Sequence, residues 1–390
     1  MTISLKIYDK LSDAKNEWER IVPENHHLIC CDLMAIEGSN APDMKFHYVS
    51  IYKDNVLSGV MYLQHLTFSQ KHFNRNLIQN KILKFASPIL NQMKAHLLIC
   101  GNMFRVNFQG FYFKDKNDRI DIFDCLNIYR KQVKQEVNYC GILVKDCNRE
   151  FEPTKISCFQ FSPFHQDLTM EMAIQPTWHT FDEYVAALSK KYRQRAIKIR
   201  KSNAAIERKY LSLEDIKFFQ NDIHKLYMNV VNKQSLALGI LGSDYFIQMK
   251  EQLKDNFEVV AFMKDGQLLA FSGHIYYPAK KAMELHYIGF DYTENPIYNL
   301  YFNIIFDGIE TAITKGYVNL EMGRTAREAK ASAGAKAVEN FNYIWVKAGL
   351  PRLAVSFLSS KFQDKMGDEW QNRNPFKEIV PATSQITEHS

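Results

Sequence analysis

The stretch EVVAFMKDGQLLAFSGHIYY, residues 258–277, and the following KAMELHYIGFDY, residues 281–292, decide the fold. In the first stretch, two runs rich in β-branched and aromatic residues flank Lys264-Asp265-Gly266. An Asp-Gly pair between two such runs is the strongest short hairpin signal. The second stretch supplies a further strand. The sequence therefore predicts a β-hairpin followed by a third strand.

A well-delimited helix follows this third strand. Asn295 is a suitable N-cap, Pro296 occupies the first helical position, and Gly316 follows the last turn. After this helix we expect strands at residues 317–322 and 340–346. Within the helix, apolar residues recur at helical spacing and predict one buried face, formed by Leu300, Ile304, Ile305, Ile309 and Ile313.

The segment before the hairpin predicts a strand and several helices. Residues 167–174 alternate like a half-buried strand. A long helix is expected at residues 181–202, with two more near residues 214–232 and 243–254.

The first half of the chain repeats the order of hairpin, strand, helix and strand. Its hairpin turns at Lys53-Asp54-Asn55, and the later elements are expected at residues 96–104, 119–135 and 139–147. We therefore predict an α/β (α+β) fold with two similar halves. The predicted divisions are an N-terminal domain at 1–150, a C-terminal domain at 151–380 and a flexible tail at 381–390.

Composition excludes several classes of protein. Of 390 residues, 46% are hydrophobic and 24% charged, as in a globular protein with a sizeable core. A net charge of +6 is too small for a dedicated nucleic-acid binder. The seven cysteines form no CxxC pair or zinc-ligand spacing, so no metal is expected. Without a secretory signal or an 18-residue apolar run, a soluble cytoplasmic protein is expected.

The segment at residues 317–338, YVNLEMGRTAREAKASAGAKAV, is the best candidate for binding chemistry. A strand delivers Gly323 and Arg324 to its carboxyl end, where ligand crevices of open α/β sheets commonly lie. Small residues allow close approach of a ligand, and the cations Arg324, Arg327, Lys330 and Lys336 suit a phosphate or carboxylate. The alternative is a solvated, alanine-rich helix with scattered charges.

The order of segments in the second half resembles that of a known family. The segments are LHYIGFDY, a long helix, LEMGRT and EAKASAG. The family is that of the predicted N-acyltransferases of the GNAT superfamily that are grouped with FemAB-like, peptidoglycan-biosynthesis-type proteins. In that group an acidic strand, a Gly-Arg pair and a downstream Lys-x-x-x-Gly recur, which Gly323, Arg324, Lys330 and Gly334 match. The resemblance covers roughly residues 167–347. It implies tandem GNAT-like domains, each a mixed, largely antiparallel sheet flanked by helices, and acyl transfer to an amine.

The chain departs from the GNAT pattern at one point. Acetyl-CoA-dependent members carry a glycine-rich loop after the central strand that binds pyrophosphate at a helix N-terminus. Here no glycine occurs between Gly289 and Gly308. The donor could be an acyl carrier protein thioester, an aminoacyl-tRNA, or CoA held through Arg324 and Lys330. In each case the donor is a co-substrate, and no bound cofactor is expected.

The helix expected at residues 181–202 is strongly basic. Seven unopposed cations repel one another, which favours an anionic partner: anionic lipid, an acidic helix of a carrier protein, or tRNA. The alternative is a solvated face. A lipid partner would place the protein on the inner face of the membrane as a peripheral protein. The cations are Lys190, Lys191, Arg193, Arg195, Lys198, Arg200 and Lys201.

Glu284 and His286 are the candidate catalytic residues. They alternate on the third strand and therefore share one face. Acylation needs a deprotonated amine, and a Glu or His near neutral pKa can remove the proton. The alternative is two half-buried polar residues at a sheet edge.

These features favour an N-acyltransferase that moves a fatty acyl group from a CoA or carrier-protein thioester to a primary amine. The acceptor would be a lipid precursor or an amino acid. One alternative is an aminoacyl-tRNA-dependent, FemAB-like transferase of cell-wall synthesis. The second is a non-catalytic GNAT-like docking protein, for which Glu284 and His286 should not lie at a cavity.

Overall fold

The computed structural model describes residues 2–23, 26–28, 32–39, 44–68, 95–115, 120–134, 136–147, 160–163, 167–234, 239–347 and 373–377. The predicted domain boundary near residue 150 and the predicted tail at 381–390 lie outside these ranges and stay predictions. No helix in the described ranges is both long and apolar enough to cross a membrane.

Runs of strands and runs of helices follow one another along the chain. The strands are β1 (Ile3–Tyr8), β2 (Met44–Lys53), β3 (Val56–Phe68), β4 (Ala95–Cys100), β5 (Phe111–Phe113), β6 (Tyr139–Cys147), β7 (Ser162–Pro163), β8 (Asp167–Ala173), β9 (Glu207–Tyr210), β10 (Phe257–Lys264), β11 (Gln267–Tyr277), β12 (Ala282–Phe290), β13 (Asn319–Glu321) and β14 (Lys336–Val346). The helices are α1 (Leu11–Trp18), α2 (Asp32–Gly38), α3 (Ile122–Gln132), α4 (Phe181–Ala187), α5 (Lys190–Ser202), α6 (Leu213–Phe218), α7 (Gln220–Val231), α8 (Tyr245–Leu253), α9 (Asn295–Tyr298), α10 (Leu300–Thr314) and α11 (Arg327–Ala333).

The described strands form one mixed sheet. Its order is β1-β2-β3-β4-β6-β14-β8-β13-β12-β11-β10-β9, with β5 beside β3 and β7 beside β14. Only β4 with β6 and β12 with β13 are parallel among the described pairs. This confirms the predicted fold class. Strand β14, from the end of the chain, pairs with β6 on one side and β8 on the other, and so joins the two halves.

Both predicted hairpins form, and their turns show why. Asp54 and Asn55 have φ of 47° and 66°, and Asp265 and Gly266 have φ of 51° and 76°. Two successive left-handed residues define a type I′ turn, whose twist matches that of the flanking strands. Asn, Asp and Gly are the residues that adopt this conformation most readily.

The prediction of one continuous helix at residues 181–202 was wrong. The segment forms two helices, α4 and α5, separated by Leu188 and Ser189 in extended conformation. At the break Leu188 forms a β-bridge to Phe376, and the N–H of Ser189 donates to the carbonyl of Pro375 at 2.8 Å. A backbone pairing with the end of the chain therefore interrupts the helix.

The helix predicted from Asn295 also begins later than expected. Residues Asn295–Tyr298 form only the single turn α9, and Asn299 follows with φ of 50°. Helix α10 starts at Leu300, and the side chain of Asn295 accepts a hydrogen bond at 3.0 Å from the N–H of Tyr301. The predicted apolar face of α10 is buried throughout.

One hydrophobic core joins the two halves on one side of the sheet. It combines residues of α1, α2, β2 and β3 with residues of α7, α8, β10 and β11, and α2 packs against α8. On the other side, α3 covers the first half, while α4, α5, α10 and α11 cover the second. The two halves therefore share one hydrophobic core in the part of the chain that the structure describes.

Candidate active site

Three glutamates lie side by side across the middle of the second half. In the sheet register Glu284 of β12 is opposite Glu321 of β13, which is opposite Glu171 of β8. Residues paired across strands project to the same face of a sheet. We call Glu171, Glu284 and Glu321 the glutamate row.

The strands separate immediately beyond this row. Pairing of β12 with β13 ends at Glu284 and Glu321, whereas β12 continues to Phe290. Within the continuation, the register to β11 shifts, and Tyr287 is the extra residue, with φ of 55°. A bulky residue in the left-handed region is strained and is commonly found at functional sites. The bulge and the early end of β13 leave this part of β12 without a strand partner on the β13 side.

Glu284 and His286 form a hydrogen-bonded chain with Tyr245. His286 Nδ1 lies 2.7 Å from Glu284 Oε1, and His286 Nε2 lies 2.6 Å from the Tyr245 hydroxyl. Burial lowers the pKa of His286, so the ring is neutral at neutral pH. Because an ionised carboxylate only accepts, Nδ1 carries the proton and Tyr245 donates to Nε2. The order of groups resembles that of a nucleophile, base and orienting acid.

The loop after β4, in the first half, completes this chain. Arg105 Nη2 donates to Glu284 Oε2 at 2.8 Å, and Tyr277 donates to the same oxygen at 3.1 Å. Burial raises the pKa of Glu284, but Arg105 and His286 outweigh it, and the net pKa is lowered. Glu284 is therefore an ionised carboxylate, and both of its oxygens accept hydrogen bonds. It is 3% exposed, and His286 is 2% exposed.

Asn107, from the same loop, bridges the other two glutamates. Its Nδ2 donates to Glu171 Oε1 and to Glu321 Oε2, both at 2.9 Å. Glu321 Oε1 is buried and has no hydrogen-bond partner among the described residues. Burial, and then repulsion from Glu284, raises the pKa of Glu321 well above its usual range. Glu321 is thus the member of the row that most readily holds a proton.

The predicted anion-binding residue Arg324 lies at the junction of the halves. Its Nη2 donates to Asp146 Oδ1, and Asp146 also accepts from Lys145. Arg324 is therefore partly neutralised by the first half, and its side chain remains 21% exposed. Arg327 donates through Nε to the carbonyl of Arg324 at 3.2 Å and so supports the same turn.

Lys330 points towards the end of β13 from α11. Burial lowers its pKa to about 7, although Glu321 opposes the shift. Nζ lies 3.8 Å from the place that a β-carbon on Gly323 would occupy. An amine of such a pKa exists partly unprotonated at neutral pH. Lys330 can therefore act as a proton acceptor as well as an anion-binding group.

At the two glycines predicted in this segment, backbone conformation and packing explain the residue type. Gly323 and Gly334 have φ of 74° and 109°, which only glycine adopts without strain. A β-carbon on Gly334 would come within 2.5 Å of the Phe376 ring. Lys336 is exposed at the start of β14. Donor binding by these residues remains a prediction.

The basic residues of α5 divide into two groups. Arg200 pairs with Glu310, and Arg195 stacks over the ring of Phe302 with its Cζ 4.4 Å from the centroid. The remaining cations form no ion pair with a described carboxylate. They are Lys190, Lys191, Arg193, Lys198 and Lys201.

The geometry can be compared with known proteins. The model of the FemAB-like family, described as peptidoglycan biosynthesis/recognition, matches residues 148–378, more than half of the chain. The chain belongs to the FemAB-like family. This confirms the resemblance given by Gly323, Arg324, Lys330 and Gly334.

Several solved structures are similar to this chain. FemX is similar with a TM-score of 0.54 at 10% identity, covering 92% of this chain and 100% of FemX. The C-terminal domain of a putative lysylphosphatidylglycerol synthetase from Agrobacterium fabrum has a TM-score of 0.49 at 9% identity, over 90% of this chain and 96% of that one. A tandem GNAT protein from the clavulanic acid pathway has a TM-score of 0.49 at 7% identity, over 88% of this chain and 98% of that one. No curated protein sequence matches significantly.

The family match and the similarity to FemX agree on a FemAB-like fold. Sequence reasoning missed most of the residues that contact the glutamate row, His286 and Arg324. Arg105, Asn107 and Asp146 come from the half in which no motif was found, and Tyr245 lies on a helix in which no site residue was predicted. Glu321 carried a weak signal, since it is the acidic residue in LEMGRT.

Proposed function

We propose that this FemAB-like protein is an N-acyltransferase that moves an acyl group from a thioester to a primary amine. A fatty acyl group is the acyl group that we favour. The glutamate row is the observation that supports this most strongly. Three carboxylates on one face share one buried arginine and one bridging asparagine. Such a row favours a cationic group, and an amine acceptor is cationic at neutral pH.

In this proposal Glu321 removes the proton from the acceptor ammonium. The approaching positive charge offsets the repulsion from Glu284, so Glu321 can ionise and then accept the proton. Glu171 and Glu321 are partly exposed, whereas Glu284 and His286 are buried. We therefore assign Glu284 and His286 to fixing the charge and position of the row, with Tyr245 as their hydrogen-bond partner.

The remaining steps balance without any further reactant. The amine nitrogen attacks the thioester carbonyl carbon, a C–N bond forms, and the C–S bond breaks. The departing thiolate takes up the proton that Glu321 removed from the ammonium. Glu321 then takes the second proton that the nitrogen loses as the amide forms, and this replaces the proton that Glu321 released to solvent when it ionised. The proposed oxyanion donors are backbone N–H groups of β12 beyond Glu284, the last residue of β12 that pairs with β13.

The donor is proposed to bind through Arg324 and Lys330. The start of α10 has fewer backbone N–H groups available for a phosphate than a GNAT pyrophosphate loop has, because the N–H of Tyr301 already donates to the side chain of Asn295. Arg324 and Lys330 flank the point where β12 and β13 separate, so a thioester held there would reach the glutamate row. Both acyl-CoA and an acyl carrier protein present a phosphate-bearing arm that these cations fit.

The test is intact-mass analysis of acceptors incubated with a panel of donors. Acyl-CoA and acyl carrier protein thioesters of several chain lengths would be offered with long-chain amines and amino acids. We expect a product of amide mass, and a loss of at least a hundredfold in rate for Glu321→Gln. Gln at this position keeps the bond from Asn107 but cannot take a proton. A rate for Glu321→Gln equal to that of the wild type would reject Glu321 as the proton acceptor.

Two other functions have specific support. The family match, with its description of peptidoglycan biosynthesis/recognition, favours aminoacyl transfer from aminoacyl-tRNA. Product formation only with aminoacyl-tRNA, together with absorbance at 260 nm in the purified protein, would identify that donor. The burial of Glu284 and His286 favours a non-catalytic docking protein. The absence of turnover with every donor class would point to that role.

A further inference from the structure

We propose that α5 and the adjoining α9 form a surface that docks on an anionic lipid bilayer. This surface lies apart from the glutamate row, so the proposal is independent of which donor and acceptor the enzyme uses. We call it the α5 face. It comprises Lys190, Lys191, Arg193, Ile197, Lys198 and Lys201 of α5 together with Ile297 of α9.

The charge of the α5 face is unopposed in the described chain. Helix α5 carries no acidic residue and has 13 residues, so it extends about 20 Å along the surface. Its inner side packs on the core through Ala196 and Ile199, which fixes the cationic side outwards. Lys190, Lys191, Lys198 and Lys201 are all exposed. An array of like charges at this spacing is attracted to a negative surface.

Exposed aliphatic side chains accompany these cations. Ile197 is 45% exposed, and helical spacing makes Arg193, Arg200 and Lys201 its neighbours on the helix surface. Ile297 is 59% exposed on α9. The Asn299 side chain donates to Ser202 Oγ at 3.0 Å, which ties the end of α9 to the end of α5. Aliphatic groups surrounded by lysine and arginine match the headgroup region of a bilayer, which accepts both.

The same arrangement fits the two other anionic partners less well. A tRNA backbone offers phosphates but no apolar region for Ile197 or Ile297. A carrier protein would require an apolar interface centre depleted of charge, whereas the isoleucines here are isolated among cations. The observations therefore favour lipid over nucleic acid or protein.

Vesicle flotation with the full-length protein tests this directly. We expect binding to vesicles of phosphatidylcholine with 30% phosphatidylglycerol, weakening as salt is raised, and little binding to pure phosphatidylcholine. Replacing Lys190, Lys191, Lys198 and Lys201 with Gln should weaken binding at least tenfold. Ile197→Ser should weaken binding severalfold, and this loss should persist at high salt.

Matched variants control for charge and apolarity elsewhere in the chain. Gln at the exposed Lys10, Lys131, Lys134 and Lys225 removes the same charge, and Phe218→Ser removes a side chain that is 81% exposed. Both controls should bind vesicles as the wild type does. An equal loss in the four-lysine control, or no preference for phosphatidylglycerol, would overturn the proposal. Retained vesicle binding with loss of bound RNA in the α5 variant would assign the face to tRNA instead.

Discussion

The two parallel strand pairs of the molecule occupy corresponding places and differ in how they end. In the first half a hairpin, β2 and β3, is followed by β4, α3 and β6, with β4 and β6 parallel. In the second half β10 and β11 are followed by β12, α10 and β13, with β12 and β13 parallel. Strand β4 ends at Cys100, which is still paired with Val144. Strand β12 continues for six residues beyond its last partner in β13.

Each half carries a histidine that is hydrogen-bonded to tyrosine near its parallel pair. In the first half, His65 lies between the hydroxyls of Tyr129, 3.0 Å from Nε2, and Tyr139, 2.5 Å from Nδ1. Both nitrogens of the ring are satisfied by neutral groups. In the second half His286 lies between Tyr245 and an ionised glutamate, and Glu321 Oε1 has no hydrogen-bond partner within the described ranges. The same architecture thus encloses a neutral cluster in one half and a charged, incompletely satisfied one in the other.

The difference suggests a division of labour. In the first half, β4 stays paired with β6 to its last residue. The loop after β4 contributes Arg105 and Asn107, which donate hydrogen bonds to the glutamate row. The second half has the separated strands and the proton-accepting carboxyl. We therefore expect equivalent substitutions at the histidine beside each parallel strand pair to affect activity in the second half and only stability in the first.

The largest effect is expected at His286. His286→Asn removes the link between Glu284 and Tyr245 that fixes the position of the row, and should lower kcat by about a hundredfold. The matched variant His65→Asn breaks the corresponding link in the first half and should leave kcat within about twofold, measured per folded molecule by circular dichroism. Glu284→Gln should resemble His286→Asn. Equal losses at His65 and His286 would remove the distinction between the halves.

The pH dependence of the rate sharpens this prediction. The proposed acceptor of the proton is a carboxyl, so kcat should fall at low pH as the row becomes protonated. If Glu284 and His286 control that titration, substituting both should shift or abolish the acidic limb. A rate profile with an unchanged acidic limb in both variants would show that another group is titrating.

A smaller effect is expected at Arg324. Arg324→Ala should raise the donor dissociation constant at least tenfold, since a charge-assisted contact contributes roughly 1.5–3 kcal/mol. Arg130, in α3 of the first half, is the matched control, with its guanidinium carbon 4.4 Å from the centroid of the Trp345 ring. Arg130→Ala should leave donor affinity unchanged. Unchanged affinity in both Arg324→Ala and Lys330→Ala would remove the donor site from this position.

Sequence patterns predicted most helices and strands because neighbouring residues determine where those elements form. The type I′ turns at Asp54-Asn55 and Asp265-Gly266 depend on residues that adopt positive φ. The buried face of α10 depends on spacing alone. The break at Leu188 depends on Pro375 and Phe376, almost two hundred residues later, so no window around Leu188 could reveal it.

The candidate site was predictable only in part for the same reason. Alternation along one strand put Glu284 and His286 on the same face, and the family motif pointed to Arg324 and Lys330. The partners Arg105, Asn107 and Asp146 are brought there by β14, which pairs with strands of both halves. Register across three strands, rather than any motif, forms the glutamate row.

The smallest effect concerns stability at mildly acid pH, where the two halves are expected to behave alike. Burial lowers the pKa of His65 in the first half and of His274 in the second, each to about 3. Unfolded histidine has a pKa near 6.5, so below that pH the unfolded chain binds protons that the folded chain does not. The free energy of unfolding should therefore fall as pH decreases, by up to about 1.4 kcal/mol per pH unit for each such histidine.

Urea unfolding at pH 7, 6 and 5 measures this dependence in the wild type and in His65→Gln and His274→Gln. Each variant should show a shallower loss of stability between pH 6.5 and 5 than the wild type, whatever its stability at pH 7. His179→Gln, at an exposed position, should follow the wild-type curve. Because one core spans both halves, His65→Gln and His274→Gln should alter a single cooperative transition. Two transitions, each altered by only one of the variants, would show instead that the halves unfold independently.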